Sequence, residues 1–348
     1  MNDLPLTYDE PAQLAKSAML RRFYTRAQLS GEITLPAVPS MLEDYVSMCG
    51  TVFEGLGKPF NEAELDHLRK ALEGQLADAY AGSQRSHIVI SYNAPVGPSL
   101  SYTVRAEWRT VVQEYENWVA TREPPLFGTE PDARVWELAT ETPYPTTFHV
   151  LEIGAGTGRN ALALARRGHP VDVVEMTPKF AEILKTEAEN DALDIRVIVR
   201  DVFADSDDLR TDYQLIVLSE VLPDFRSTQQ LHSLFELAAR CLAPGGRLVF
   251  NTFLPRFGYV PDDAAREFCQ QVYSGMFTRT ELASATAGLP LALIADDSVY
   301  DYEQANLPDG AWPPTGWYAD WVSGLDVFKT SREECPIEMR WLVFEKTR

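Results

Sequence analysis

The chain has 348 residues, 45% of them hydrophobic and 24% charged, enough for two domains that each bury a core. Asp and Glu outnumber Lys and Arg by 51 to 31, giving a formal net charge of −20; so acidic a surface, with no Lys/Arg cluster longer than two residues, repels phosphate backbones and argues against a nucleic-acid partner. No apolar run of about 18 residues marks a membrane span, Met1 to Pro5 carries no secretory-signal pattern, and the four cysteines, Cys49, Cys241, Cys269 and Cys335, form no CxxC pair, which argues against a zinc or disulfide framework and fits a reducing cytoplasm.

Residues 1–145 read as a mostly helical domain with one extended stretch. An apolar periodic segment around Leu14 to Phe23 follows Tyr8-Asp9-Glu10-Pro11. Met41 to Phe53 is a second helical candidate. Asn61 is placed to cap a third, with Leu65, Leu68, Leu72 and Leu76 on its apolar face. His87 to Tyr92 has the composition of a strand, closed by the Pro95 to Pro98 turn region. Trp108 to Trp118 resumes an amphipathic helix. Pro124-Pro125 and Thr142-Pro143-Tyr144-Pro145 are breakers that place the domain boundary near residue 145.

From residue 146 the pattern becomes an alternation of apolar strands and helical stretches. Strands are predicted at His149–Ile153, Val171–Glu175, Ile195–Val199, Leu215–Leu218 and Arg247–Phe250, with two late ones at Leu291–Ser298 and Glu338–Glu345. That alternation predicts an α/β fold with a doubly wound, Rossmann-like sheet. The connection between the two late strands carries an aromatic insertion at about 300–336, with Tyr300, Tyr302, Trp312, Trp317, Tyr318, Trp321 and Phe328. As a group these rings are expected to form a lid.

The first of these strands runs into Gly154-Ala155-Gly156-Thr157-Gly158-Arg159-Asn160. Glycine permits positive φ and removes Cβ, so the backbone turns tightly and lies against a ligand, and the following helix aims its N–H groups at it. The spacing is G-x-G-x-G, not the G-x-G-x-x-G of dinucleotide enzymes. Glu152 precedes the loop inside the strand. Glu175 ends the next strand, where a carboxylate accepts from both hydroxyls of a ribose by the logic of dinucleotide folds. Asp201-Val202-Phe203 follows the third strand, an acid with apolar flanks suited to an adenine.

This combination resembles the class I S-adenosylmethionine methyltransferase superfamily across residues 147–255. The resemblance implies S-adenosyl-L-methionine as cofactor, with Gly154, Gly156 and Gly158 along its methionine part, Glu175 on the ribose and Asp201 on the adenine amino group. The full cofactor-facing set expected is Glu152, Gly154, Ala155, Gly156, Gly158, Asn160, Glu175, Met176, Asp201, Val202, Phe203, Ser219 and Glu220. No metal is expected.

Beyond the cofactor motif, Leu218 to Phe225, Leu231 to Leu242, Ala243 to Leu248 and Leu254-Pro255 resemble the small-molecule O-methyltransferases that carry an N-terminal helical dimerisation domain. The resemblance implies a homodimer. Those enzymes usually read Leu-His-Asp-Trp after the fourth strand, the histidine being their general base; here the segment reads Leu222-Pro223-Asp224-Phe225. A general base is typically worth ~10²–10⁴ in rate, and its loss matters least when the nucleophile has no proton to shed, as in a thioether, a tertiary amine or an ionised carboxylate. Aromatic faces near the site suit an onium product. The whole is similar to the DsyB-type methylthiohydroxybutyrate S-methyltransferases of dimethylsulfoniopropionate synthesis in marine bacteria. That similarity implies 4-methylthio-2-hydroxybutyrate as acceptor, a small carboxylate needing an anchor among Tyr92, Tyr102, Arg105, Arg109 and Arg256, with Trp312 and Trp317 as further substrate-facing residues. The alternative is O-, N- or C-methylation of another small metabolite, with a base supplied by His87, His149, His169 or, best placed, His232. A non-catalytic cofactor-binding module is a third reading.

Overall fold

The computed structural model describes residues 9–347 apart from 25, 27, 98, 205 and 206. They fall into two compact units, one ending at Val111 and the other starting at Val112.

The first unit contains helix α1 (Asp9–Tyr24), strand β1 (Leu29–Pro36), helices α2 (Leu42–Gly55) and α3 (Glu62–Gly82), and strands β2 (His87–Ala94) and β3 (Ser101–Glu107). Helix α3 starts where the sequence predicts. The Asn61 side chain accepts from the N–H of Glu64, whose carboxylate accepts from the N–H of Asn61, so two N–H groups that a helix start leaves unpaired are satisfied reciprocally. Its Leu68, Leu72 and Leu76 are buried with Phe53 of α2 and Ile88 and Ile90 of β2. The extended part is larger than the sequence reading expects: β1, β2 and β3 form an antiparallel sheet in that order, with Ile33, Ile90 and Val104 in register. Trp108 lies outside any helix.

The division falls at the first residue of helix α4 (Val111–Thr121), which is followed in the second unit by α5 (Ala133–Thr140). Both precede the predicted boundary at 145. Val135, Leu138 and Ala139 of α5 pack in one cluster with Val150, Leu164 and Val171, which is why the division comes ahead of the proline breakers. Then follow β4 (Val150–Ile153), α6 (Arg159–Arg166), β5 (Val171–Glu175), α7 (Pro178–Asn190), β6 (Ile195–Val199), β7 (Tyr213–Leu218), α8 (Thr228–Cys241), β8 (Leu242–Pro255), α9 (Asp263–Gln271), α10 (Arg279–Thr286), β9 (Leu291–Ser298), α11 (Val299–Asn306), α12 (Tyr318–Val322) and β10 (Ile337–Lys346).

The seven strands form one sheet in the order β6-β5-β4-β7-β8-β10-β9. Strands β4 to β8 are mutually parallel, and β10 runs antiparallel to β8 and β9. Alternate residues feed two cores: Leu215 and Val217 of β7 face one with α5, α6 and α12, while Ile216 and Leu218 face the other with α8 and α10. This is the predicted doubly wound sheet. Chain order reverses at β4, with β5 and β6 on one side and β7 and β8 on the other. In such sheets ligands bind beyond the carboxyl ends of the strands at that switch point. No helix among the described residues is long and apolar enough to cross a membrane.

Candidate functional site

The glycine loop leaves β4 at the switch point. Gly154, Gly156 and Gly158 adopt φ of 71°, 58° and 96°. A Cβ on Gly154 would lie 2.5 Å from Val221 Cγ2, and one on Gly156 would lie 3.2 Å from the Phe127 ring. The loop therefore needs glycine for both conformation and space.

Glu175 holds this loop. Its side chain is buried at the end of β5. One oxygen accepts from the Gly156 N–H at 2.9 Å and the other from the Thr177 N–H at 2.7 Å. Burial pushes its carboxyl above the usual carboxylate range, and the backbone donors oppose that. Each oxygen keeps a further lone pair for a ribose hydroxyl. Met176 is 41% exposed beside it, the kind of apolar surface an adenine ring covers. Asp201 is exposed and accepts from the Phe203 N–H at 2.9 Å, while Val202 is buried and Phe203 packs edge-on against Phe225. These residues fit the adenosine half of the cofactor expected from the sequence.

Beneath the loop runs a buried ionic network. The Asn160 amide donates to Asp132 at 2.9 Å and to Glu152 at 3.1 Å, and the Asn160 carbonyl accepts from the Asp132 N–H. Arg159 reaches Asp132 at 2.9 Å and Glu220 at 2.7 Å. Glu303 of α11 accepts from the N–H groups of Ala133 and Arg134 and from Trp341 Nε1. Burial pushes Glu152 up to about 8 and Glu220 and Glu303 up to about 7. Burial opposes the charge on Arg159, but Asp132 and Glu220 outweigh it and hold the guanidinium ionised. Glu152 and Asn160, expected to face the cofactor, are both 2% exposed and act as braces under the loop.

Glu220 has φ of +62° and donates its N–H to Asn251 Oδ1 at 2.6 Å. Such a conformation costs on the order of 1 kcal/mol and collects at functional sites. Asn251 Nδ2 and Tyr318 Oη are buried with no hydrogen-bond partner. Together with Arg159, Glu220 and Ser219, they supply donors and acceptors suited to a zwitterionic amino-acid head such as the methionine part of the cofactor.

A cluster of rings stands over the glycine loop, and the sequence reading missed it. Tyr115 and Trp118 come from α4, Phe127 from the loop after it, Phe180 from α7 and Tyr273 from the turn after α9. Ring centroids lie 5.3 Å apart for Tyr115 and Trp118, 5.8 Å for Tyr115 and Phe180, 5.5 Å for Phe127 and Phe180, and 5.2 Å for Trp118 and Tyr273. The Tyr115 hydroxyl donates to Asp224 at 2.5 Å. Tyr273 Oη and Trp118 Nε1 both donate to Glu114, at 3.2 and 3.4 Å. Asp224 lies in the turn Leu222–Asp224 after β7, where Pro223 is buried and its carbonyl accepts from the Gly275 N–H.

The other predicted residues have these partners. Tyr92 and Tyr102 pack against Phe53 in the first unit, and Arg105 lies near Glu32 and Glu107. Arg109 pairs with Glu107 at 2.7 Å. Arg256 approaches Glu338 at 3.8 Å and donates to the carbonyl of Arg332. Trp312 and Trp317 contact Tyr318, while Tyr318 and Trp321 are buried in the sheet core. The rings of 300–336 thus pack that connection onto the sheet. His149 and His169 precede the amino ends of β4 and β5, opposite the site. His232 bonds the Ala285 carbonyl at 2.9 Å and approaches Glu236 at 3.4 Å. No group of three or more potential metal ligands occurs among the described residues.

The family described as "Methyltransferase domain" matches residues 150–246. A ubiquinone biosynthesis O-methyltransferase of Coxiella burnetii is 29% identical over 109 residues, which is 31% of this chain and 45% of that protein; the chain spans less than half the length of the curated relatives it matches. Among solved structures, a geranyl diphosphate C-methyltransferase from Streptomyces coelicolor A3(2) is 15% identical, with 68% of this chain and 97% of that chain covered and a TM-score of 0.49. The StiE O-MT domain is 19% identical, with 62% and 74% covered and a TM-score of 0.42.

Proposed function

We infer that this chain, whose residues 150–246 match a methyltransferase-domain family, is a class I methyltransferase that transfers the methyl group of S-adenosylmethionine to a small molecule. The observation that carries this is the glycine loop at the sheet's switch point, tied by its Gly156 N–H to the buried Glu175. Glu175 and the loop bind the cofactor's ribose and methionine part, and the sulfonium supplies the methyl group.

The finer reading is S-methylation of the thioether acid 4-methylthio-2-hydroxybutyrate. A thioether sulfur attacks the methyl carbon with its lone pair while the bond from that carbon to the cofactor sulfur breaks. The cofactor leaves as a neutral thioether, the product is a sulfonium, and no proton moves. The buried Pro223 at the position of a family histidine supports this, as do the placement of His149 and His169 before the amino ends of β4 and β5 and the engagement of the His232 ring with the Ala285 carbonyl. Alignment alone is worth ~7–11 kcal/mol in such displacements. The second reading, methylation at oxygen, rests on the Tyr115–Asp224 pair, which offers a route for a hydroxyl proton.

The test is incubation with methyl-labelled cofactor and two acceptors, the thioether acid and a phenol. Label on the thioether acid is the expected result; label on the phenol alone would replace it with the second reading. We assign the first unit the role of pairing two copies of the chain, which sedimentation of the full chain checks: a single species at the monomer mass refutes it.

A further inference from the structure

We propose that the acceptor is held by the ring cluster of Tyr115, Trp118, Phe127, Phe180 and Tyr273, and that this cluster selects an acceptor whose methylated form is an onium cation. The proposal deepens the methyl-transfer reading above and rests on it.

Position is the first argument. Phe127 lies against Gly156, and Tyr115 is bonded to Asp224 in the turn after β7. The cluster therefore reaches from the glycine loop to the turn on the other side of the switch point, where a methyl donor bound along the loop presents its reactive group.

Charge is the second. Ring faces carry negative potential and attract cations. Two carboxylates are fixed to the cluster: Asp224 by the Tyr115 hydroxyl, and Glu114 by Tyr273 and Trp118. One face of the Trp118 ring already carries the exposed Arg122 guanidinium, 3.5 Å from its centroid, so this ring accepts a cation.

Reaction chemistry is the third. The donor enters as a sulfonium and the product leaves as an onium, so one positive charge moves from cofactor to acceptor across the cluster. Walls that favour a cation favour both ends of that path and the transition state between them. A phenol or alcohol acceptor would instead have to shed its proton and be held as an oxyanion before attack, which the carboxylates of Asp224 and Glu114 disfavour.

The test uses the full chain saturated with S-adenosylhomocysteine and calorimetric titration of three probes. They are 4-dimethylsulfonio-2-hydroxybutanoate, its uncharged-carbon isostere 2-hydroxy-5-methylhexanoate, and tetramethylammonium. The sulfonium is expected to bind about tenfold or more tighter than the isostere, and tetramethylammonium to compete with it. Trp118→Leu and Glu114→Gln should each erase most of that preference, with S-adenosylhomocysteine affinity reporting that the variants are folded. Tyr273→Phe, the mildest change, should reduce the preference while leaving the fold intact. Equal binding of sulfonium and isostere, or no binding of either cation, overturns the proposal. So does a pH–rate profile that loses a limb in Asp224→Asn, since that is the mark of proton transfer. Failure of S-adenosylhomocysteine to bind in the first titration would instead refute the methyl-transfer reading.

Discussion

Replacing Glu152 by Gln tests how the glycine loop is braced. The carboxyl is 2% exposed; one oxygen accepts from Asn160 and the other has no hydrogen-bond partner. Burial is the main cause of its rise from the ordinary 4.5 to about 8; the Asn160 bond opposes the rise and Asp132 adds to it. In the unfolded chain the group loses its proton near 4.5, whereas in the native state it keeps it to about 8. Between those values the native state binds more protons, so stability falls as pH rises. Its contribution is complete below 4.5 and is lost as pH rises through 8. At about 1.4 kcal/mol per pH unit, the full span bounds the effect at about 5 kcal/mol, and local relaxation should reduce it to ~2–4 kcal/mol. Gln keeps the shape and the bond from Asn160 but carries no titrating proton. Glu220 and Glu303 titrate in both proteins and largely cancel in the difference. Urea unfolding at pH 5, 6, 7 and 8 should show the wild type losing stability more steeply than Glu152→Gln by that amount. Parallel curves, within about 0.5 kcal/mol, would refute the reasoning.

Three further outcomes follow from the same geometry. Gly156→Ala forces a side chain into φ of 58° and against Phe127; it should cost ~1–2 kcal/mol in denaturant unfolding and weaken cofactor binding about tenfold. Trp341→Phe removes the bond to Glu303 and leaves a buried carboxyl short of a donor, for a loss of ~1–3 kcal/mol by the same assay. His232→Ala should leave turnover within about twofold, because the ring is engaged with Ala285 and Glu236; a fall of ~10²-fold would mark it as a base after all.

The centre of the sheet was legible because β4, β5, β7 and β8 are largely buried on both faces and read as apolar runs. Leu291–Ser298 has the bounds expected of it, and Val171–Glu175 and Ile195–Val199 do too. In the first unit, β1 and β3 are not marked by the sequence pattern. Leu29–Pro36 and Ser101–Glu107 bury little and carry Ser, Gly, Glu, Thr and Arg between their apolar residues, so the alternation is faint. The glycine loop and Glu175 could be read because they lie in one short register. Glu152 and Asn160 were in the motif, but sequence does not say which side of the loop a side chain occupies. The ring cluster was not legible at all: its five members come from α4, a loop, α7 and the turn after α9, and only tertiary packing brings them together. The rings of 300–336 drew attention by density, yet Tyr318 and Trp321 went to the core. A run of aromatics looks the same in sequence whether it lines a site or fills a core.

Calorimetry of S-adenosylmethionine binding, with the wild type and Glu175→Gln side by side, addresses the central assignment. The wild type should bind, and the variant should bind about 10–100-fold more weakly, because Gln presents an N–H to the Gly156 or Thr177 N–H and loses the charge that receives the ribose. Unfolding curves measured in parallel separate lost affinity from lost fold. No heat from the wild type, or equal affinity in a folded variant, would contradict the account.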